Sequence, residues 1–329
     1  LDLGLFNNRL RITTDYYKRN NRPADSVAVP ATSGYQTMLK NIGSIENQGY
    51  ELSIESDNLT GAFSWTTAFN IAFNRNKVLE LGGEEYKEMA EGDGHLKTGS
   101  VRRLIVGEPI GVFYGYRFDG IFQNEEECKQ QTSSASPIGV GLRRYKDLNG
   151  DGKVDAANDR EILGDANPKF FGGLTNTFAY KGFELNVFLQ YSYGNKILNY
   201  NAMELENPTG GQNAYADMVN RWTPENPSNI YPKATTNRAL LVSDRFIEDG
   251  SYLKLKTLSL SYSFPKINLK HIQGLRLYVT GQNLLTWTKY RGYDPEVSYR
   301  GASTLEAGED FGGYPQSRTF MFGIKLDIK

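Results

Sequence analysis

The sequence holds one cysteine and two histidines in 329 residues. A lone Cys128 excludes an internal disulfide. It sits in the polar run Glu125-Glu126-Glu127-Cys128-Lys129, the setting of an inert surface thiol. His95 and His271 are far apart in sequence and from Cys128, so no zinc site or Ser/Cys–His triad can be assembled from these residue types. Charge of either sign is not in excess. Thirty-seven basic residues face 38 acidic ones, a net charge of −1, which excludes a nucleic-acid binder relying on bulk positive charge. No apolar run reaches the roughly 18 residues of a spanning helix, and mean hydropathy is −0.52. That excludes membrane helices but not a membrane β-barrel, whose polar lumen positions dilute every strand. The chain opens at Leu1 without a secretion-type leader, and strand alternation is under way by Leu10. It is expected to be a piece of a longer polypeptide.

What the chain does have is 21 Tyr, 17 Phe and 34 Gly. The aromatics are patterned. Tyr50, Leu52 and Ile54 alternate with Glu51, Ser53 and Glu55, and after a turn at Asp57–Gly61 come Phe63, Trp65, Phe69, Ile71 and Phe73. Strict alternation gives a strand one apolar and one polar face. The second run keeps its pattern for about the 9–11 residues that a tilted strand needs to cross a bilayer. An apolar face rich in Phe and Trp, opposite small polar residues, suits a wall between lipid and water.

Similar strands are predicted at 9–20, 170–180, 183–193, 251–264, 275–288 and 320–328. In the 183–193 strand Phe188 alone breaks the polar face. Turns alternate short (57–61, 181–182, and moderate at 265–274) and long (195–247, 292–313), the asymmetry of periplasmic turns and extracellular loops. Residues 77–169 must then hold zero or two spans, for eight or ten in all. A polar loop with Pro23 and Pro30 follows the first strand, and 214–222 is a short helix candidate. Lys254 and Lys256 continue the Leu258-Leu260-Tyr262-Phe264 face, so this strand is expected to rise out of the membrane at its Lys end, with Leu253 and Leu255 turned inward. The fold class is all-β, a large antiparallel transmembrane barrel with long extracellular loops.

Several stretches carry a family likeness: Asn41 to Glu51 (NIGSIENQGYE), Tyr114 to Phe122 (YGYRFDGIF), Tyr145 to Gly152 (YKDLNGDG), Val279 to Leu285 (VTGQNLL), Tyr293 to Glu296 (YDPE), and Tyr314 to Phe320 (YPQSRTF). The chain resembles the C-terminal part of a SusC/RagA-like TonB-dependent outer-membrane transporter. The resemblance implies a barrel of 22 strands, of which this chain supplies about half, the plug and coupling segment being absent from it. It implies TonB-driven import of a glycan, or else a peptide, with a SusD-like surface lipoprotein as lid and the TonB–ExbB–ExbD complex as motor. No enzyme is implied. The ending Asp327-Ile328-Lys329 departs from the aromatic terminus common in such barrels.

The sharpest chemical motif is Asp147, Asn149, Asp151, Lys153 and Asp155, with Gly152 between. Oxygen donors at loop positions 1, 3, 5 and 9, a carbonyl at 7 and Gly at 6 match the first part of an EF-hand-type loop for Ca²⁺ or Mg²⁺. Position 12 is Asn158 rather than Glu, so Asp159 is the candidate last ligand. The alternative is a metal-free Asx-type turn. Trp222, Tyr231, Tyr290, Tyr293 and Tyr299 are candidate stacking residues for a sugar or peptide, or loop packing. Glu51, Glu55 and Glu184 read as solvated lumen-wall residues. Gly139-Val140-Gly141 opens no helix and is no phosphate loop, and Asn58-Leu59-Thr60 fits a glycosylation pattern without meaning in a barrel turn. A second reading, a secreted calcium-stabilised carbohydrate-binding or adhesion module, would need to bury the apolar stripes against another sheet.

Overall fold

The computed structural model describes residues 1–28, 37–41, 43–89, 92, 95–96, 98–207, 213–236, 240–264, 272–297, 299, 301 and 306–328, with the backbone alone for 24–28 and 37–41. Pro30, His271 and most of the 265–274 turn lie outside the described residues. Nine strands form one antiparallel sheet in chain order: β1 (Asp2–Leu5), β2 (Leu10–Asn21), β3 (Gly43–Thr60), β4 (Phe63–Leu81), β5 (Phe170–Tyr180), β6 (Phe183–Tyr193), β7 (Tyr252–Ser263), β8 (Ile272–Thr288) and β9 (Thr319–Ile328). Each pairs with its predecessor, the up-and-down order of a barrel wall. No helix among the described residues is long and apolar enough to cross a membrane.

The 77–169 segment adds no span, because β4 pairs directly with β5 through Phe171↔Ala72 to Tyr180↔Phe63. The ninth strand is β1, too short to alternate visibly. The β3–β4 turn is tighter than expected. Asp57–Thr60 stay in β3 with a register shift between Asp57 and Leu59, leaving Gly61 and Ala62 to turn. At Lys181-Gly182 the φ angles are +47° and +89°, the two left-handed positions that match strand twist in a two-residue hairpin. The expected loop after β2 is a hairpin extension, Ala24–Ala28 pairing with Thr37–Asn41.

Register places the aromatics in two tiers on one face. Tyr16 opposes Tyr50, Tyr50 opposes Phe73, the Phe73 and Phe170 rings lie 5.9 Å apart, and Phe170 opposes Tyr193. Toward the short turns, Phe63 opposes Tyr180, Tyr180 opposes Phe183, and Phe183 opposes Tyr262. The tiers are about ten residues apart, which at ~3.3 Å per residue and ~40° tilt is roughly 25 Å, the height of a lipid-facing band between aromatic girdles. Phe322 and Ile324 on β9 are 81% and 67% exposed, so no protein layer covers them. This is the opposite of what a soluble sandwich requires. The polar intrusions Thr67 and Asn176 satisfy each other at 2.7 Å, and Trp65 Nε1 donates to Asn176 at 2.8 Å.

The Lys254 expectation is overturned. Val187 opposes Leu258, but Leu189 opposes Leu255 and Tyr191 opposes Leu253, so β7 carries one extra residue at Lys256. The bulge exchanges the faces. Leu253 and Leu255 continue the lipid stripe, and Lys254 opposes Gln190 on the lumen side. β8 follows with Asn283 at φ +52°, whose Nδ2 donates to the Ser317 carbonyl at 3.0 Å.

Candidate functional site

The strands outrun the bilayer. β3 and β4 have 18 and 19 residues, and the surplus carries three long connections, 82–169, 194–251 and 289–318, that pack into a crown. The main hydrophobic core lies there: Leu96, Phe113, Leu198, Tyr200, Met203 and Phe246 are all at most 1% exposed. Two six-residue helices that the sequence did not disclose lie in the crown; the second brings Tyr200, Ala202 and Met203 into this core, while the first buries no side chain. α1 (Glu125–Gln130) is capped by Asn124 Oδ1 accepting from Glu127 N at 2.9 Å, and α2 (Tyr200–Leu205) by Asn199 in the same way. Both are too short for propensity to declare them. The predicted helix near 214–222 is a 3-10 turn, Ala216–Asn220.

The connections interlock through backbone and charge. Lys196–Asn199 pairs antiparallel with Ile247–Asp249 and parallel with Glu309–Asp310, joining two loops in one small sheet. Arg102, from the first connection, is 1% exposed; its Nε donates to Glu309 of the third at 2.8 Å. Its other nitrogens donate to the Gly111 and Ala307 carbonyls, and its guanidinium lies 4.2 Å above the Phe113 ring. Tyr200 of the second connection donates to the other Glu309 oxygen at 3.3 Å. Glu206, also 1% exposed, accepts from Arg245 at 2.6 Å and Arg291 at 2.8 Å, and Arg291 also pairs with Glu248.

Two of the family-like stretches, Tyr114–Phe122 and Tyr293–Glu296, fall at such joints, while Asn41–Glu51 and Val279–Leu285 run mostly in wall strands β3 and β8. In Tyr114–Phe122, a Cβ on Gly115 would meet the Val242 carbonyl at 2.4 Å, and Gly120 has φ +97° with Asn229 against it. Tyr116 exchanges backbone hydrogen bonds with Val242 and Asp244, and Phe118 N donates to Asp244 Oδ1 at 2.8 Å. In Tyr293–Glu296, Asp294 accepts from Lys254 Nζ at 2.6 Å, while Glu296 accepts from Lys254 and, at 2.9 Å, from Lys256. Burial would raise the Glu296 carboxyl; the two lysines override it and hold its pKa down to about 2. The third connection is thus pinned to the bulge of β7.

Among the candidate stacking residues, most are engaged. Tyr290 is buried and donates to Asp310; burial and that carboxylate push its phenol above the ordinary range. Trp222 Nε1 donates to Gln123 at 3.0 Å, Tyr231 OH donates to Asp217 at 3.3 Å, and the Tyr299 and Phe311 rings lie 5.6 Å apart. Tyr293 is 78% exposed and available, as is Tyr314 at 91%, which periodicity could not single out. On the lumen face Glu55 pairs with Arg11 at 2.8 Å and Glu184 with Arg276, while Glu51 lies opposite Asp15. His95 lies 3.4 Å from Glu204, and Cys128 is half-buried.

In the Asp147–Asp159 loop, side-chain oxygens accept from the loop's own backbone. Asp147 accepts from Gly150 and Gly152, Asp151 from Lys153, and Asp155 from Ala157 and Asn158. Asn149 Nδ2 donates to Asp151, and Lys153 Nζ lies 3.1 Å from Asp155. Asp159, fully buried, closes the base by accepting from Leu148 N and Asp155 N, each at 2.7 Å. Among the described residues no three His, Cys, Asp or Glu side chains converge in a metal-holding group.

No protein-family model matches the chain. It is 39% identical to TonB-dependent receptor P3 of Formosa agariphila, over 99% of this chain and 33% of that protein. It is 28% identical to TonB-dependent receptor SusC of Bacteroides thetaiotaomicron, over 100% of this chain and 31% of SusC. Among solved structures it matches the RagAB peptide transporter with a TM-score of 0.76 at 25% identity, covering 98% of this chain and 34% of that one. The chain therefore spans about a third of the length of the relatives it matches. An outer-membrane sheet with two aromatic tiers, and likeness over the whole length of this chain, place it among the SusC/RagA-like TonB-dependent receptors.

Proposed function

We propose that the whole protein imports a nutrient across the outer membrane, and that this chain is the C-terminal part of its barrel wall together with the extracellular crown. The cargo is an oligosaccharide, with a peptide as the second candidate. Import is TonB-dependent and a SusD-like surface lipoprotein closes over the crown. The observation that carries this reading is the interlocking of three long connections above a lipid-facing wall, which makes a rigid frame around the barrel mouth. The near-equal TM-scores to the RagAB peptide importer in its closed-closed and open-open states, 0.75 and 0.74, support a frame that does not itself switch. Cells carrying or lacking the gene are compared for uptake of labelled oligosaccharides and of labelled peptides, with and without a protonophore. Energy-dependent uptake of either that vanishes with the gene supports import. Unchanged uptake of both overturns it.

We also propose that the Asp147–Asp159 loop takes Ca²⁺ through Asp147, Asn149, Asp151, the Lys153 carbonyl and Asp155, with Asp159 as last ligand. The oxygen spacing supports it. Occupation requires Asp155 to exchange its Lys153 contact for the cation and Asp159 to share an oxygen now held by a backbone N–H. Calcium titration by calorimetry gives heat that is lost in D151N. No heat, and no effect of chelator on crown stability, would leave the loop an Asx-turn ladder.

A further inference from the structure

The crown holds a cavity of about 310 Å³ between the first and second connections, lined by Ala135, Pro137, Leu142, Arg143, Leu240 and Leu241 among others. Most of these walls are apolar. Ser136, Asn207 and Thr235 add neutral polar groups, and Arg143 is the charged one. It lies in the short strand Arg143–Tyr145 paired with Phe118–Ile121 and is only 8% exposed. Two of its nitrogens have modest neutral partners: Nη2 donates to the Glu206 carbonyl at 2.9 Å, and Nη1 reaches Asn207 Oδ1 at 3.4 Å. Its Nε is buried with no partner.

No carboxylate among the described residues pairs with it. The carboxylate whose charge it feels, Glu206, is already shared by Arg245 and Arg291. Arg245 adds like charge rather than relief, and burial pushes the Arg143 guanidinium below its ordinary value. The Phe246 ring face lies 5.7 Å from the guanidinium, and a buried cation left with that face, two neutral acceptors and a free N–H is still costly unless an anion completes it. The guanidinium fork fits a carboxylate, and the apolar walls suit a body with few hydroxyls, since every buried hydroxyl would need its own partner.

We propose that this cavity is a binding site for a small organic carboxylate with an apolar body, its carboxylate on Arg143 and its body against Leu142, Leu240 and Leu241. The chemistry is that of an acylated apolar amino acid or the free C-terminal residue of a peptide, not of a neutral sugar. Binding at this site needs neither TonB nor a partner, so its failure leaves the import reading standing.

The test uses the full receptor purified from outer membranes in detergent, with N-acetyl-L-leucine and its neutral amide as probes, read by calorimetry and saturation-transfer NMR. The acid is expected to bind about tenfold or more tighter than the amide. R143Q removes that preference and R143K keeps part of it. L241W, which fills the cavity and leaves Arg143 in place, abolishes binding of the acid, so the assignment does not depend on the arginine variants alone. Equal binding of acid and amide by the unaltered protein, or a preference that survives R143Q, overturns the proposal. Sulfate displacing the acid at equal concentration makes this a site for any small anion and overturns the organic-ligand assignment.

Discussion

Replacing Glu309 with Gln keeps the shape of the Arg102–Glu309 staple and removes its charge. Arg102, at 1% exposure, is then left with the Gly111 and Ala307 carbonyls and the face of Phe113. Breaking a buried pair from one side costs about 3–5 kcal/mol, because the remaining charge is uncompensated. Since Gln can still accept one hydrogen bond, the lower end applies, and ~3 kcal/mol is roughly a hundredfold in the opening equilibrium. The loss should be local. The staple joins only crown segments, while the wall is held by its own ladder. Hydrogen exchange on the full receptor reads this directly. The amides of Leu198, bonded to the Gly308 carbonyl at 2.8 Å, and Tyr114, bonded to Val101 at 3.0 Å, should exchange about a hundredfold faster. Those of β5 and β6 should not change. R102M/E309L should recover most of the loss, since an apolar pair removes the desolvation cost that strands the single variant. A change below about threefold at Leu198 and Tyr114 would refute the reasoning. So would equal acceleration in β5, which would mean that crown and wall open as one unit.

The remaining predictions concern the wall and the loop anchors. Ile54 faces lipid near mid-band, so I54R should destabilise the barrel by roughly 2–4 kcal/mol, whereas S53R on the lumen face should cost less than about 1 kcal/mol; denaturant titration in detergent compares them. Glu296, with a pKa held near 2 against an ordinary carboxylate value, stabilises the 289–318 connection at pH values above the unfolded-state pKa, and that contribution is lost as pH falls from about 4.5 toward 2. Protease sensitivity of this connection should rise over that window and should be high and nearly flat with pH in E296Q. G115A should cost about 1–3 kcal/mol in crown stability, because its Cβ would meet the Val242 carbonyl at 2.4 Å and backbone must shift; unchanged thermal unfolding would count against that contact.

The wall was legible because its code is period two. Strands 170–180 and 183–193 agree with the ladder residue for residue, and the turn between them is the Lys181-Gly182 pair. The same code misled at Lys256. Alternation counted across a bulge assigns every earlier side chain to the wrong face, and Lys254 and Leu253 exchanged places for that reason. A sequence signal was present: Leu253 and Leu255 are apolar at odd positions, Leu258 and Leu260 at even ones, and only an inserted residue reconciles them. The crown was largely illegible. Its helices have six residues and its strands two to five, so tertiary contacts between distant segments decide its shape, as Arg102 and Glu309 do across 207 positions.

The family-like stretches acquire a physical meaning from this contrast. Wall residues need only be apolar or polar on the right face, and many side chains satisfy that. A joint between two loops accepts far fewer. Gly115 is fixed by a carbonyl that occupies the place of its Cβ, and Gly120 by a left-handed φ with Asn229 pressed against it. Arg117 must reach both Glu161 and Asp244, and Asp294 and Glu296 must meet two lysines displaced by a bulge. Two of the stretches, Tyr114–Phe122 and Tyr293–Glu296, therefore hold side chains that lock the crown. It follows that the Tyr114–Phe122 stretch belongs to the frame and carries little information about cargo. Residues that choose the cargo should be sought among crown side chains that the frame leaves free: Tyr293 and Tyr314 at the surface, and Arg143 in its cavity. Exchanging those three with a relative of different cargo should alter ligand preference, while exchanging the Tyr114–Phe122 stretch should alter only stability.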